Sequence, residues 1–126
     1  MLLQKIVLLA CILFPSATLA GSFESSVGHL RIDPIVKGLD TPWAFAFLPD
    51  GKVLITERDG RLLVFDGISV HKIKGLPRVS AEGQGGFLDV MVPRDFEKSR
   101  EIFLTFAKLQ GSGAGPALAA ATLDLE

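Results

Sequence analysis

From residue 43 onward the apolar positions fall into short runs, and the order of those runs is stated twice. The first copy reads Trp43-Ala-Phe-Ala-Phe-Leu-Pro-Asp-Gly51, then Lys52-Val-Leu-Ile-Thr-Glu57, then Arg61-Leu-Leu-Val-Phe65. The second reads Gly86-Phe-Leu-Asp-Val-Met-Val-Pro-Arg-Asp-Phe96, then Glu101-Ile-Phe-Leu-Thr-Phe-Ala107, then Ala117-Leu-Ala-Ala-Ala-Thr-Leu123. Each copy opens with an apolar run that ends at a proline turn, and two further β-rich runs follow. Pro49 and Pro93 mark the equivalent turns, roughly 44 residues apart, and a period of that length carrying several short strands predicts β-propeller blades.

The texture of the runs supports this. Val53-Leu-Ile-Thr56 and Phe87-Leu-Asp-Val-Met-Val92 are apolar at nearly every position. A half-exposed sheet would alternate with period two, so these strands are expected to be covered on both faces, as blades are by their neighbours. Between the runs stand Pro49-Asp50-Gly51, Asp59-Gly60 and Asp66-Gly67, residues that supply the positive φ of tight hairpins. A β-sandwich also uses short strands and glycine turns; the repeat favours the propeller.

The first residues belong to a different class. Lys5 gives a short n-region one positive charge, residues 6–14 form an apolar h-region, and Thr18-Leu-Ala20 ends in the small residues accepted by a signal peptidase. Residues 1–20 are therefore expected to be a signal peptide, and export to the periplasm or the medium follows. The apolar run is too short for a permanent anchor, so no membrane span is expected after cleavage. Leu8-Leu-Ala-Cys11 faintly resembles a lipoprotein processing site but would leave an unusually short signal. Cys11 is the only cysteine and leaves with the signal peptide, so the mature chain suits an oxidising compartment without a disulfide. Residues 21–37 form an N-terminal segment in which the stretch Leu30 to Val36 is expected as a strand that could close a ring. Residues 38–126 are expected to form the first blades, a little over two at the observed period. Propellers close with roughly four to eight blades. The apolar run that ends at Leu125-Glu126 accordingly reads as part of a longer propeller, of which this is an N-terminal piece.

Thirteen basic and fourteen acidic residues leave a net charge of −1, so no polyanionic partner is implied. There is no basic patch interleaved with aromatics, which argues against nucleic acid.

The stretch Gly38-Leu-Asp-Thr-Pro-Trp-Ala-Phe-Ala-Phe-Leu-Pro-Asp-Gly-Lys-Val-Leu-Ile-Thr-Glu-Arg58 resembles the opening blade of the soluble aldose sugar dehydrogenases of the glucose/sorbosone dehydrogenase family. Gly75-Leu-Pro-Arg-Val79, Glu82-Gly-Gln-Gly-Gly-Phe-Leu-Asp-Val90 and the Pro93-Arg-Asp-Phe96 turn continue the likeness, which covers about residues 35 to 125. The resemblance implies an all-β, six-bladed propeller with pyrroloquinoline quinone (PQQ) on its top face, Ca2+ beside it, and oxidation of an aldose at C1 to the lactone, with an external electron acceptor. It also implies a histidine general base on a later His-x-Gly-Gly-Arg-like stretch, hydride passing to the quinone while Ca2+ acts as Lewis acid. His29 and His71 lie outside any such stretch and read as solvated surface residues. No catalytic residue and no metal ligand is assigned within the chain. The calcium ligands are expected beyond it.

One position carries over. In Glu82-Gly-Gln-Gly-Gly86, Gln84 stands where the family places a glutamine against the cofactor. Flanking glycines let a backbone approach a flat ligand, and a neutral amide both donates and accepts. On spacing alone an ordinary glycine turn with a solvated glutamine is the better reading, and it is the resemblance that favours the cofactor contact. Asp89 interrupts an apolar strand and is expected to be buried, accepting backbone N–H bonds. Trp43 is expected in the core, Glu57 and Arg58 as an ion pair or turn cap, and Gly111-Ser-Gly-Ala-Gly115 as a flexible loop without the lysine of a phosphate loop. Two functions follow: part of a periplasmic quinone-dependent sugar dehydrogenase, or a propeller used as a binding or scaffold module. The chain on its own is expected to be inactive.

Overall fold

The structure, a computed structural model, describes residues 21–125. The expected signal peptide, with Cys11, lies outside the described residues. Among those described, no helix is long and apolar enough to cross a membrane. The chain divides into two units between Ile35 and Val36.

In the first unit β1 (Gly21–Ser25) and β2 (Gly28–Ile32) form a two-stranded antiparallel hairpin in the register Phe23↔Leu30. Ser25 Oγ donates to the Gly28 carbonyl at 2.7 Å and closes the turn. The strand expected over residues 30–36 is thus shorter and begins earlier. Pro34, which has no N–H, follows closely and ends the pairing.

In the second unit β3 (Pro42–Phe47), β4 (Val53–Glu57), β5 (Arg61–Phe65) and β6 (Val70–Lys72) form a four-stranded antiparallel meander in sequence order. The proline and glycine turns fall between the strands as their composition dictates. At Asp59-Gly60, Gly60 takes φ 97° and its N–H reaches the Glu57 carbonyl at 3.0 Å. A second meander follows: β7 (Phe87–Met91), one helical turn α1 (Phe96–Ser99), and the long hairpin β8 (Glu101–Gln110) and β9 (Gly113–Thr122). Gly111 to Gly115 is therefore a tight turn running into a strand, not a flexible loop. Gly111 supplies φ 61° and pairing begins at Gln110↔Gly113.

The two meanders pack face to face, which is how propeller blades are held. Leu54, Leu62 and Val64 of the first face Phe87, Val90, Ile102, Leu104 and Phe106 of the second, with Phe96 of α1 sealing one side. Each such side chain, fully buried, contributes about 1.5–3 kcal/mol. On the opposite face of the first blade, Val53, Ile55 and Leu63 are covered by Val36 and Leu39. All five residues of β4 are buried, as continuous apolar runs predict. The β7 run is different: Asp89 and Met91 point outward, so only the face toward the first blade is covered among the described residues. Thr56, wholly buried, ties the blades together, its hydroxyl accepting from Ala44 N at 3.0 Å and donating to the Leu88 carbonyl at 2.7 Å.

Strand β9 also shows how its proline is tolerated. Opposite Pro116 stands Ala107, whose N–H goes to Gly86 and whose carbonyl accepts from Ser80. The Ala107–Pro116 pair is therefore a non-hydrogen-bonded one, and the missing donor of Pro116 falls on the outer edge of β9.

Candidate functional site

At the end of β4 the chain leaves Glu57, reaches Arg58 and turns. Glu57 is buried, and its carboxylate accepts from Asp40 N–H at 2.5 Å. Arg61 Nε lies 2.7 Å from the other Glu57 oxygen without a well-aligned hydrogen bond, so the contact is a charge pair. Arg61 Nη2 donates to Asp40 at 2.8 Å. Glu57 thus pairs with Arg61 and not with its neighbour Arg58, because successive strand residues point to opposite faces. The network fixes Asp40 and Thr41. Thr41 holds φ 49°, a left-handed conformation that costs a β-branched residue about 1–3 kcal/mol, and its carbonyl accepts from Arg58 N–H at 3.0 Å.

Arg58 then crosses to the segment that leads into β7. Its Nε donates to the Gly85 carbonyl at 3.1 Å, and its Nη2 donates to the carbonyls of Ala81 at 2.7 Å and Gly83 at 2.5 Å. The Arg58 carbonyl accepts from Phe87 N–H at 2.8 Å. Within this grip residues 82–85 make a turn closed by Gly85 N–H to the Glu82 carbonyl at 2.8 Å, with Gln84 exposed at its tip. Ser80 N–H and the Gly86 carbonyl are bonded to Ala107 of β8, so the turn is anchored to both blades.

The three glycines do different work. A Cβ on Gly85 would lie 2.6 Å from the Ser80 carbonyl, and one on Gly86 would lie 2.6 Å from Arg58 Cγ and 2.7 Å from the Arg58 carbonyl. Gly86 lets the chain close on Arg58, and Gly85 lets the turn fold back on the carbonyls of Ser80 and Glu82. Only Gly83, with φ 55°, has open space where a side chain would be. The close approach expected of the flanking glycines is therefore made to the protein itself at Gly85 and Gly86, and the free side is at Gly83. Among the described residues the Gln84 amide has no hydrogen-bond partner, leaving donor and acceptor available.

Other expected site residues lie elsewhere or behave differently. Asp89 is exposed, because a register shift between Phe87 and Val90 turns it outward. Its carboxylate accepts one backbone N–H, from Val90 at 2.9 Å. Trp43 is 50% exposed, because strand alternation sets it with Phe45 and Phe47 on the open face while Ala46 meets the core. His29 pairs with Glu24 at 2.9 Å, both exposed. His71 lies on β6, the edge strand, 3.0 Å from Asp66. An open cleft of about 460 Å³ between residues 77–80 and Phe106, Lys108 and Leu109 borders the segment entering the turn, but Gln84 does not line it. Arg58, expected to pair with Glu57 or to cap a turn, instead binds the carbonyls of Ala81, Gly83 and Gly85, a role that sequence reasoning did not find. The only hint was its place at a strand end, with a run rich in glycine, and so in unshielded carbonyls, further along the chain.

The sequence model of the Glucose / Sorbosone dehydrogenase family matches residues 39–126. The chain is 38% identical over 111 residues to aldose sugar dehydrogenase YliI of Escherichia coli, covering 84% of this chain and 30% of that protein. A solved glucose dehydrogenase structure superposes with a TM-score of 0.70 at 42% identity, over 73% of this chain and 30% of that one. The PQQ-bound form of an aldose sugar dehydrogenase from Streptomyces coelicolor, at 23% identity, shares the fold with a TM-score of 0.65 over 74% of this chain and 28% of its own. The chain thus spans about 30% of the length of these relatives. Its paired blades, its braced glycine turn and this match over most of its length make it a member of the glucose/sorbosone dehydrogenase family.

Proposed function

We propose that residues 38–126 form the first blades of an exported, quinone-dependent aldose dehydrogenase, with Gln84 as a contact to pyrroloquinoline quinone. Family membership supports the reaction class, and the quinone-bound relative supports the cofactor. The observation that carries the assignment to Gln84 is its unpartnered, exposed amide on a turn held by Arg58 and Ala107. A neutral amide suits quinone oxygens, since it can donate and accept without placing a charge beside them. The open side of Gly83 leaves room for a flat ring. Bound quinone would supply the two-electron acceptor for oxidation of an aldose at C1 to the lactone. This chain's part is to orient that group; the general base and the electron-acceptor contacts are assigned to other blades. The calcium ligands are assigned to other blades; among the described residues no three His, Cys, Asp or Glu side chains come together at one point.

Titration of the complete gene product with the quinone at fixed calcium tests the reading. Gln84→Ala should weaken binding by about 1–3 kcal/mol, roughly 5- to 150-fold, with the melting of the cofactor-free protein unchanged. Unaltered affinity in a normally folded variant would reduce Gln84 to a turn residue. Export is tested separately. Mass spectrometry of the protein from an expressing bacterium should place the mature N-terminus at Gly21 or within a residue or two of it, and an intact Met1 in the cytosol would refute cleavage after Ala20.

A further inference from the structure

We infer that Arg58 is the positioning residue of the quinone contact, setting where the Gln84 amide stands by gathering the carbonyls of its turn. The inference rests on the reading of Gln84 as that contact. Three carbonyl oxygens, those of Ala81, Gly83 and Gly85, converge on one guanidinium at 2.7, 2.5 and 3.1 Å. Oxygens aimed at one point repel, and two of the three belong to glycines, which have no side chain to separate them. A planar fork with a fixed spread of N–H groups satisfies all three at once; a lysine ammonium offers a point charge without that spread. The grip continues along the residue. The Arg58 stem fills the place a Gly86 side chain would take, and its carbonyl holds Phe87 N–H, the first residue of β7. Arg58 belongs to the first blade and the turn leads into the second, so this side chain fixes the amide relative to both. Its own backbone is set by the strained Thr41 carbonyl at 3.0 Å.

The test uses the complete gene product and pyrroloquinoline quinone at fixed calcium. Arg58→Met removes the fork and keeps a stem; Arg58→Lys keeps the charge and shortens the reach. Arg58→Met should weaken quinone binding roughly tenfold, in the range seen for coupled neighbours. In the cofactor-free protein, hydrogen exchange of the Gly85 and Phe87 amides should speed up while exchange in β4 and β8 stays slow. Arg58→Lys should recover part of the affinity. The double variant Arg58→Met/Gln84→Ala should bind no more weakly than the worse single variant, because both changes remove the same contact. If Gln84→Ala weakens binding but Arg58→Met and Arg58→Lys do not, the positioning role is overturned and the Gln84 contact stands. Losses that multiply in the double variant would also overturn it, since Arg58 would then act on the quinone independently. If Gln84→Ala has no effect, the contact itself falls and the inference with it. Should Arg58→Met fail to fold, Arg58→Lys decides: weakened affinity with native melting upholds the role, and native affinity overturns it.

Discussion

Gly86 takes φ 143°, and a methyl group placed there would lie against both the stem and the carbonyl of Arg58. Gly83 takes φ 55° with open space beyond it. Alanine at each position thus separates two costs. At Gly83 only the left-handed backbone is penalised, by about 1–2 kcal/mol. At Gly86 the clash with backbone adds to a conformation nearly confined to glycine, and the loss should reach about 3 kcal/mol or more. Urea unfolding of the two variants measures the difference, and equal losses would show that the turn can move off Arg58. At this scale the sequence was a partial guide. The glycines around Gln84 were visible, but which of them face a ligand and which face the protein was not, because that depends on a side chain some 25 residues away. The same holds for Asp89, where a slip in strand pairing reverses in and out and no local residue pattern announced it. Trp43 lies on the face it shares with Phe45 and Phe47, and that this face stays open depends on neighbours.

The β5–β6 hairpin shows what an element draws from one turn residue. Asp66 accepts from Ser69 N–H at 2.7 Å and Ile68 N–H at 2.8 Å and stands 3.0 Å from His71 Nε2. The Ser69 bond first, then Ile68 and His71, hold its carboxyl down at about 2 against an ordinary 3.8. A carboxyl depressed in the folded state lends stability above its unfolded value and loses it as pH falls through the folded one. The turn should therefore loosen between about pH 4 and pH 2, and the Ser69 and Ile68 amides should exchange faster there. Asp66→Asn should remove that pH dependence; amide exchange followed by NMR would record it, and an unchanged profile would show that the turn does not rely on the charge. Elements were the most legible level of this chain. Pro49-Asp-Gly51, Asp59-Gly60 and Asp66-Gly67 each became the hairpin their composition predicts, since a turn of three to five residues is a local matter. Gly111 to Gly115 misled because glycines followed by a proline read as a loop, whereas pairing with β8 overrides that preference.

For the whole molecule the repeat was readable because it is periodic, and the two meanders that it predicts pack as blades. Which faces stay open was not readable, because it depends on neighbours. Phe45 and Phe47, 64% and 63% exposed, stack edge to face on one side of the first blade, and Leu118, 69% exposed, lies on the far side of the second. Such open apolar faces on a small domain favour association. The 126-residue chain, expressed alone, should therefore fold poorly, aggregate, and show no dye-linked glucose oxidation with added quinone and calcium. Monomeric two-state unfolding together with turnover would contradict this.

The missing donor on the outer edge of β9 matters most while the chain is being made. Synthesis proceeds at about 5–20 residues per second, so any strand that is to lie beside β9 arrives on the order of a second after it. During that interval ten residues of edge are open to a second nascent copy from the same polysome. Pro116 leaves one rung of that ladder unfilled whichever strand pairs there. The proline thus lowers what a second copy can gain from that edge by one hydrogen bond, at the moment when the edge is most open.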